Sequence, residues 1–120
     1  MKKIAIITLS LCAIMMICAC GKNSYGMSNK AYESTKKIVA ATDQFFNKEI
    51  SFDEYSEMAN PLILGYDKED PTEAKLKEIS FNMYSSIVLN SINPNDPSQD
   101  DLVTMRDELA EQIGVSKFNQ

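Results

Sequence analysis

Histidine and tryptophan are absent from the 120 residues, and the three cysteines all lie within the first 20. Histidine is the commonest general base in enzymes and cysteine is an intrinsically strong nucleophile, so their scarcity indicates a protein that is not an enzyme. Basic residues are also few, with 12 lysines and arginines against 17 acidic residues and a net charge of −5. That balance argues against nucleic-acid binding, which needs a basic surface.

The composition nevertheless suffices for one small folded domain. Hydrophobic residues make up 44% of the chain and charged residues 24%, which differs from the apolar-poor composition of disordered proteins. A chain of this length holds at most one domain.

The N-terminus has the layout of a secretory signal. Two lysines follow Met1, and residues 4–19 then form an apolar run without a charge. As a helix these 16 residues would extend about 24 Å, which is short of the roughly 30 Å hydrocarbon core of a bilayer. A cleaved signal is therefore favoured over a permanent transmembrane helix.

The run ends in Ile17-Cys18-Ala19-Cys20, an aliphatic residue, a variable one, a small one and then cysteine. This motif resembles the lipobox of bacterial lipoproteins, and the resemblance covers only the first 20 or so residues. It implies that residues 1–19 are a signal peptide, that a diacylglyceryl group is attached to the Cys20 thiol, and that the mature protein is anchored to the cell membrane on its extracytoplasmic face. The mature chain would then hold no free thiol, so we expect no disulfide and no cysteine-based metal or catalytic site.

Removal of the signal would also take away two lysines, leaving 10 basic and 17 acidic side chains and a net charge of −7. Such a domain is repelled by an anionic lipid surface, so the lipid alone would hold it there. Residues 21–28 are rich in glycine and serine without periodicity, which predicts that residues 20–28 form a short flexible tether about 15 Å long.

Residues 29–120 are predicted to form a helical domain. Apolar residues at spacings of three and four indicate a first helix over residues 29–48 with Ser28 as its N-cap. Ser51 and Glu54 form a capping-box motif that starts a second helix. Pro61 lies within the second helical pattern and predicts a break or kink near residue 60.

Two further helices begin at Asp-Pro pairs, one running from Pro71 to about residue 90 and one from Pro97 to about residue 113. The C-terminal half of the third helix is apolar nearly all round, which predicts that it is the central helix. Gly114 is a candidate C-terminal stop for the fourth. No segment has the pattern of a strand, so we predict an all-α fold, a small bundle of three to four helices.

Few residues are candidates for a site. Most aromatic residues follow helical spacing and are expected in the core, whereas Tyr66, beside Gly65 and an acidic loop, is the best candidate for an exposed aromatic contact. Arg106 is expected to pair with a neighbouring acid on the fourth helix. The acids from Asp96 onward resemble a calcium loop only in part, because Asp101 stands where that loop needs glycine, so neither a metal nor a cofactor is expected.

By elimination, these features favour a lipid-anchored module that binds an envelope or surface protein as an accessory subunit. Two alternatives remain open. One is a self-associating or exclusion-type surface protein. The other is a small-ligand binder, which would need a cavity between the helices, and a domain of this size has little room for one.

Overall fold

The predicted all-α fold is confirmed. The computed structural model describes residues 23–92 and 99–119, and these residues form four helices and no strand. The helices are α1 (Asn29–Phe46), α2 (Phe52–Leu64), α3 (Pro71–Ile92) and α4 (Gln99–Glu111).

The helices form a four-membered ring around one core. Each helix contacts the next along the chain, and α1 also contacts α4. Ser28 at the start of α1 donates a hydrogen bond to Glu73 at the start of α3 (3.5 Å), and Tyr25 lies against Gly114 after α4. We call this end of the bundle the base, and the opposite end, where α1 and α3 finish, the far end.

Side chains from all four helices fill the interior. The largest fully buried ones are Met27, Ile38, Tyr55, Ile63, Leu76, Met83, Ile87, Leu109 and Ile113. Their helical spacing places one apolar stripe of each helix inward, which is the arrangement that holds a bundle of this size together.

The described helix ends follow the predicted caps, whereas the predicted start of the fourth helix at Pro97 lies outside the described residues. Ser51 and Glu54 form the reciprocal capping box, and Ser28 accepts the N–H of Ala31. At the end of α4, Val115 N–H bonds to the Ala110 carbonyl. Gly114, at φ +69°, supplies the left-handed residue that this Schellman stop requires.

The predicted break at Pro61 is wrong, because α2 continues through it to Leu64. Proline removes one backbone hydrogen bond, but Ala59 and Ile63 on either side of it are both buried in the core. Core packing on both sides therefore holds the helix continuous. The Pro61 ring itself is exposed.

Residues 23–28, which the sequence analysis assigns to a flexible tether, contact the base in this structure. The Asn23 side-chain oxygen accepts N–H groups from Tyr25 (2.9 Å) and Met27 (3.4 Å). The Tyr25 ring stacks on Tyr32 at 5.4 Å, and Met27 is only 1% exposed. Two apolar residues of the segment therefore pack against the domain.

Candidate functional site

Cys20, the predicted lipidation site, lies outside the described residues. The structure does show where the chain that carries it joins the domain. Asn23 belongs to the base, beside the start of α1. Any segment that precedes Asn23 therefore joins the domain at the base.

Tyr66 is not an exposed contact, so that prediction is wrong. The residue is 5% exposed, and its hydroxyl lies 2.5 Å from the Thr35 hydroxyl. Burial raises the pKa of the Tyr66 phenol. Tyr66 follows the end of α2 and turns back into the core, which the adjacent glycine and acidic loop did not indicate.

A second tyrosine–threonine pair repeats the arrangement two turns along α1. Thr42 donates to the Ile38 carbonyl (2.7 Å) while its hydroxyl lies 3.1 Å from the Tyr55 hydroxyl. Thr35 likewise donates to the carbonyl of Ala31 (2.7 Å), so each tyrosine donates to its threonine. The seven-residue spacing of the threonines places both pairs on one face of α1. These pairs set the register of α2 on α1 and are structural.

Arg106 is a structural clamp that links α4 to α1. Its guanidinium donates to both Asp43 oxygens (2.6 and 2.8 Å), to Asp107 (3.0 Å) and to the Ser116 carbonyl (2.6 Å). The expected pairing with a neighbouring acid holds for Asp107, but the bidentate partner is Asp43, on another helix. Hydrogen bonding to Asp43 raises the pKa of Arg106, which keeps it charged.

The same clamp fastens the C-terminal segment. Phe118 N–H donates to Asp107 (2.9 Å), and the Phe118 ring lies 5.7 Å from the Arg106 guanidinium and 5.4 Å from the Phe46 ring. With all these contacts made, Arg106 is only 3% exposed. It has no open side toward a ligand.

The most unusual surface lies on α3, which is not the central helix that the sequence predicted. Its inner side is buried, but Phe81 is 56% exposed and Leu89 60% exposed. Residues 81, 85 and 89 follow one another at four-residue spacing and therefore form a continuous surface. We call Phe81, Ser85, Val88 and Leu89 the outer face of α3.

No charge interrupts this face. Residues 79–92 contain no acidic or basic side chain, although 24% of the whole chain is charged. Exposed apolar side chains scattered singly are ordinary, but an uncharged stretch with two large ones on a helix surface is typical of a contact with another molecule.

A groove opens at the far end of the bundle. It has a volume of about 600 Å3, is partly open to solvent, and exposes more apolar than polar surface. The residues that line it are Phe45, Phe46, Lys48, Glu49, Ile50, Ser51, Phe52, Ile87, Asn90 and Leu102. The sequence predicts little room for a cavity between the helices, and the structure has this open groove at the end of the bundle, with three phenylalanine side chains among its lining residues.

Among the described residues, no three acidic or cysteine side chains lie close enough together to hold a metal ion. None of the described helices is both long enough and apolar enough to cross a membrane.

Comparison with models of known protein families, with curated proteins and with solved structures finds no match to this chain. The outer face of α3 and the far-end groove are the two candidate sites in the described residues.

Proposed function

We propose that this protein is a bacterial lipoprotein, anchored to the cell membrane through Cys20, whose domain binds a protein partner on the extracytoplasmic side through the outer face of α3. The lipobox motif in the first 20 residues supports the anchor. The exposed apolar surface on an acidic, helical domain supports the binding role.

The observation that carries the proposal is that the C-terminal half of α3 is apolar nearly all round but is buried on one side only. A helix with this pattern is normally enclosed on every side. Complete burial of a phenylalanine or leucine stabilises a contact by about 1.5–3 kcal/mol, so covering the exposed halves of Phe81 and Leu89 contributes about 1 kcal/mol each. A protein surface laid along α3 would complete the burial that the isolated domain lacks.

The folded base limits how far the domain can stand from the membrane. Three Cα–Cα steps join Cys20 to Asn23, so the base lies within about 11 Å of the lipid-bearing residue. Along α3, Phe81 lies about 15 Å and Leu89 about 27 Å beyond the start of the helix at the base. Repulsion between the acidic domain and anionic headgroups favours an upright orientation, in which the outer face is open to proteins beside it.

Site-specific photo-crosslinking in intact cells tests the proposal. A photoreactive phenylalanine analogue at position 81 should give one product of defined mass. The same analogue at Ala40, an exposed position at similar height on α1, should not. Cys20→Ser should release the protein from the membrane and reduce the product. Equal, diffuse labelling from positions 81 and 40 would contradict a specific contact on α3.

The far-end groove supports a second candidate function, the binding of a small apolar ligand. The groove volume lies within the range of small-molecule sites, and the phenylalanine side chains that line it suit an uncharged ligand. An apolar fluorescent probe such as N-phenylnaphthylamine should brighten on binding the full chain. Ile50→Trp, which fills the groove, should abolish the effect and Phe81→Gln should not. No probe binding, or equal binding by the Ile50→Trp variant, would contradict this function.

A further inference from the structure

We infer that the partner on the outer face of α3 is a second copy of this chain, paired so that the two α3 helices run parallel about a twofold axis. The inference rests on the proposed function in two respects, that the outer face is a protein-binding surface and that the chain is anchored in a membrane. It adds the identity of the partner and the geometry of the pair.

The sides of α3 are defined by its neighbours. Tyr84 faces α2, where its hydroxyl lies 2.5 Å from that of Ser56, and Lys77 lies two turns before Tyr84 on the same side. On the α4 side, Glu78 and Lys75 both line a pocket with Met105, and the helical turn places Glu78 closer than Lys75 to the outer face. The outer face thus has a lysine on its α2 side and a glutamate on its α4 side, at nearly the same height.

In a parallel twofold pair, the lysine side of each outer face meets the glutamate side of the other. Rotation by 180° about an axis along α3 brings the α2 side of one copy against the α4 side of the other at equal height. Lys77 of each copy then lies beside Glu78 of the other, and this ion pair forms twice. Higher on the helix, Val88 likewise meets Leu89 of the second copy. In an antiparallel pair, like sides meet at opposite heights and neither match occurs.

The charge distribution favours a second copy over repulsion. Each copy is acidic, with a net charge of −5 over the full sequence, so most pairs of surfaces would repel. The uncharged stretch over residues 79–92 avoids that repulsion, and the charges nearest to it are of opposite sign. Ser85, a small residue at the middle of the face, allows the two helices to approach closely.

The membrane anchor selects the same orientation. Parallel pairing places both bases toward one membrane, whereas antiparallel pairing would direct one of the two bases away from it. A contact one helix wide is smaller than the roughly 800 Å2 per partner of a standard interface, so the pair is weak in free solution. Anchoring in one membrane raises the effective concentration of the copies and compensates for the small area.

Disulfide crosslinking of the full chain in membranes tests the geometry. Cys12 and Cys18 are replaced by serine, and single cysteines are introduced by Phe81→Cys, Ser85→Cys or Leu89→Cys, with Ala40→Cys as the control. Parallel pairing predicts that each α3 variant crosslinks to itself and that Ala40→Cys does not. Antiparallel pairing about Ser85 separates two copies of position 81 by about 12 Å, beyond the reach of a disulfide, and links position 81 to position 89 instead.

A charge exchange provides the second test. Lys77→Glu replaces two attractive pairs with two repulsive ones and should lower the crosslinked fraction of Ser85→Cys about fivefold. Adding Glu78→Lys should restore it. A crosslinked fraction that neither substitution changes would overturn the parallel pair.

The outcomes separate this inference from the proposed function. A photo-crosslinked product from position 81 whose mass is not that of two copies, together with absent disulfide dimers, would overturn self-pairing and leave protein binding intact. If neither the photo-crosslinked product nor the disulfide dimers formed, both the self-pairing and the proposed protein binding would be overturned.

Discussion

The clamp between Arg106 and Asp43 offers the sharpest test of what holds the bundle together. The Arg106 side chain is 4% exposed and that of Asp43 is 30% exposed. Breaking a fully buried ion pair by removing one partner costs about 3–5 kcal/mol, because a charge is left without compensation. In Asp43→Ala, Asp107 and the Ser116 carbonyl still contact the guanidinium and water reaches the vacated side. We therefore expect a loss of about 2–3 kcal/mol.

That loss is large against the 5–15 kcal/mol typical of a small domain and should lower the melting temperature by about 10–20 °C. Urea and thermal unfolding of the full chain, followed by circular dichroism, measure it. Glu57→Ala, at an exposed position on α2, is the matched control and should change stability by less than about 0.5 kcal/mol. The double variant Asp43→Leu/Arg106→Met replaces the pair by apolar side chains and should recover most of the loss. If Asp43→Ala were as mild as Glu57→Ala, the clamp would not be a stabilising element.

Three further predictions concern the core and the base. Burial raises the pKa of Tyr55 from 10.0 to about 12, so the unfolded chain loses this proton first. The free energy of unfolding should therefore fall by about 2 kcal/mol between pH 10 and 12, and Tyr55→Phe should flatten that fall. Thr35→Val and Tyr66→Phe should each cost about 1–2 kcal/mol in urea unfolding, but the double variant should cost less than their sum because one hydrogen bond is removed twice. Gly114→Ala should lower stability by about 1–2 kcal/mol, since it forces a side chain into a left-handed conformation 2.9 Å from the Tyr25 hydroxyl, and an unchanged melting temperature would contradict this.

The helices could be predicted because their signals are local. The serine N-caps, the capping box and the terminal Gly114 act through hydrogen bonds to neighbours within a few residues, and the helical spacing of apolar residues can be read directly. The observed helix ends differ from the expected ones by about two residues. Such differences are ordinary, because helix termini fray and are closed by contacts outside the helix.

The missed features all depend on contacts between distant parts of the chain. Tyr66 lies 31 positions from Thr35, and Arg106 lies 63 positions from Asp43. Neither pairing leaves a local pattern, so the composition near Tyr66 predicts exposure and the acid beside Arg106 predicts a partner on the same helix. The continuity of α2 through Pro61 has the same origin, since the packing of flanking residues outweighs one lost hydrogen bond.

The prediction for α3 failed for a different reason. The helix has the apolar pattern that the sequence indicates, but the domain does not bury it on both sides. A helix with apolar residues on both sides predicts burial on both sides, and the single domain supplies a cover for only one. The inner side meets the core through Leu76, Met83 and Ile87, so nothing within the described chain remains to cover Phe81 and Leu89. Either this acidic protein tolerates the exposure, or the cover comes from another chain. The opposed lysine and glutamate beside the face, which match only when a second copy lies parallel, favour the other chain and indicate which one it is.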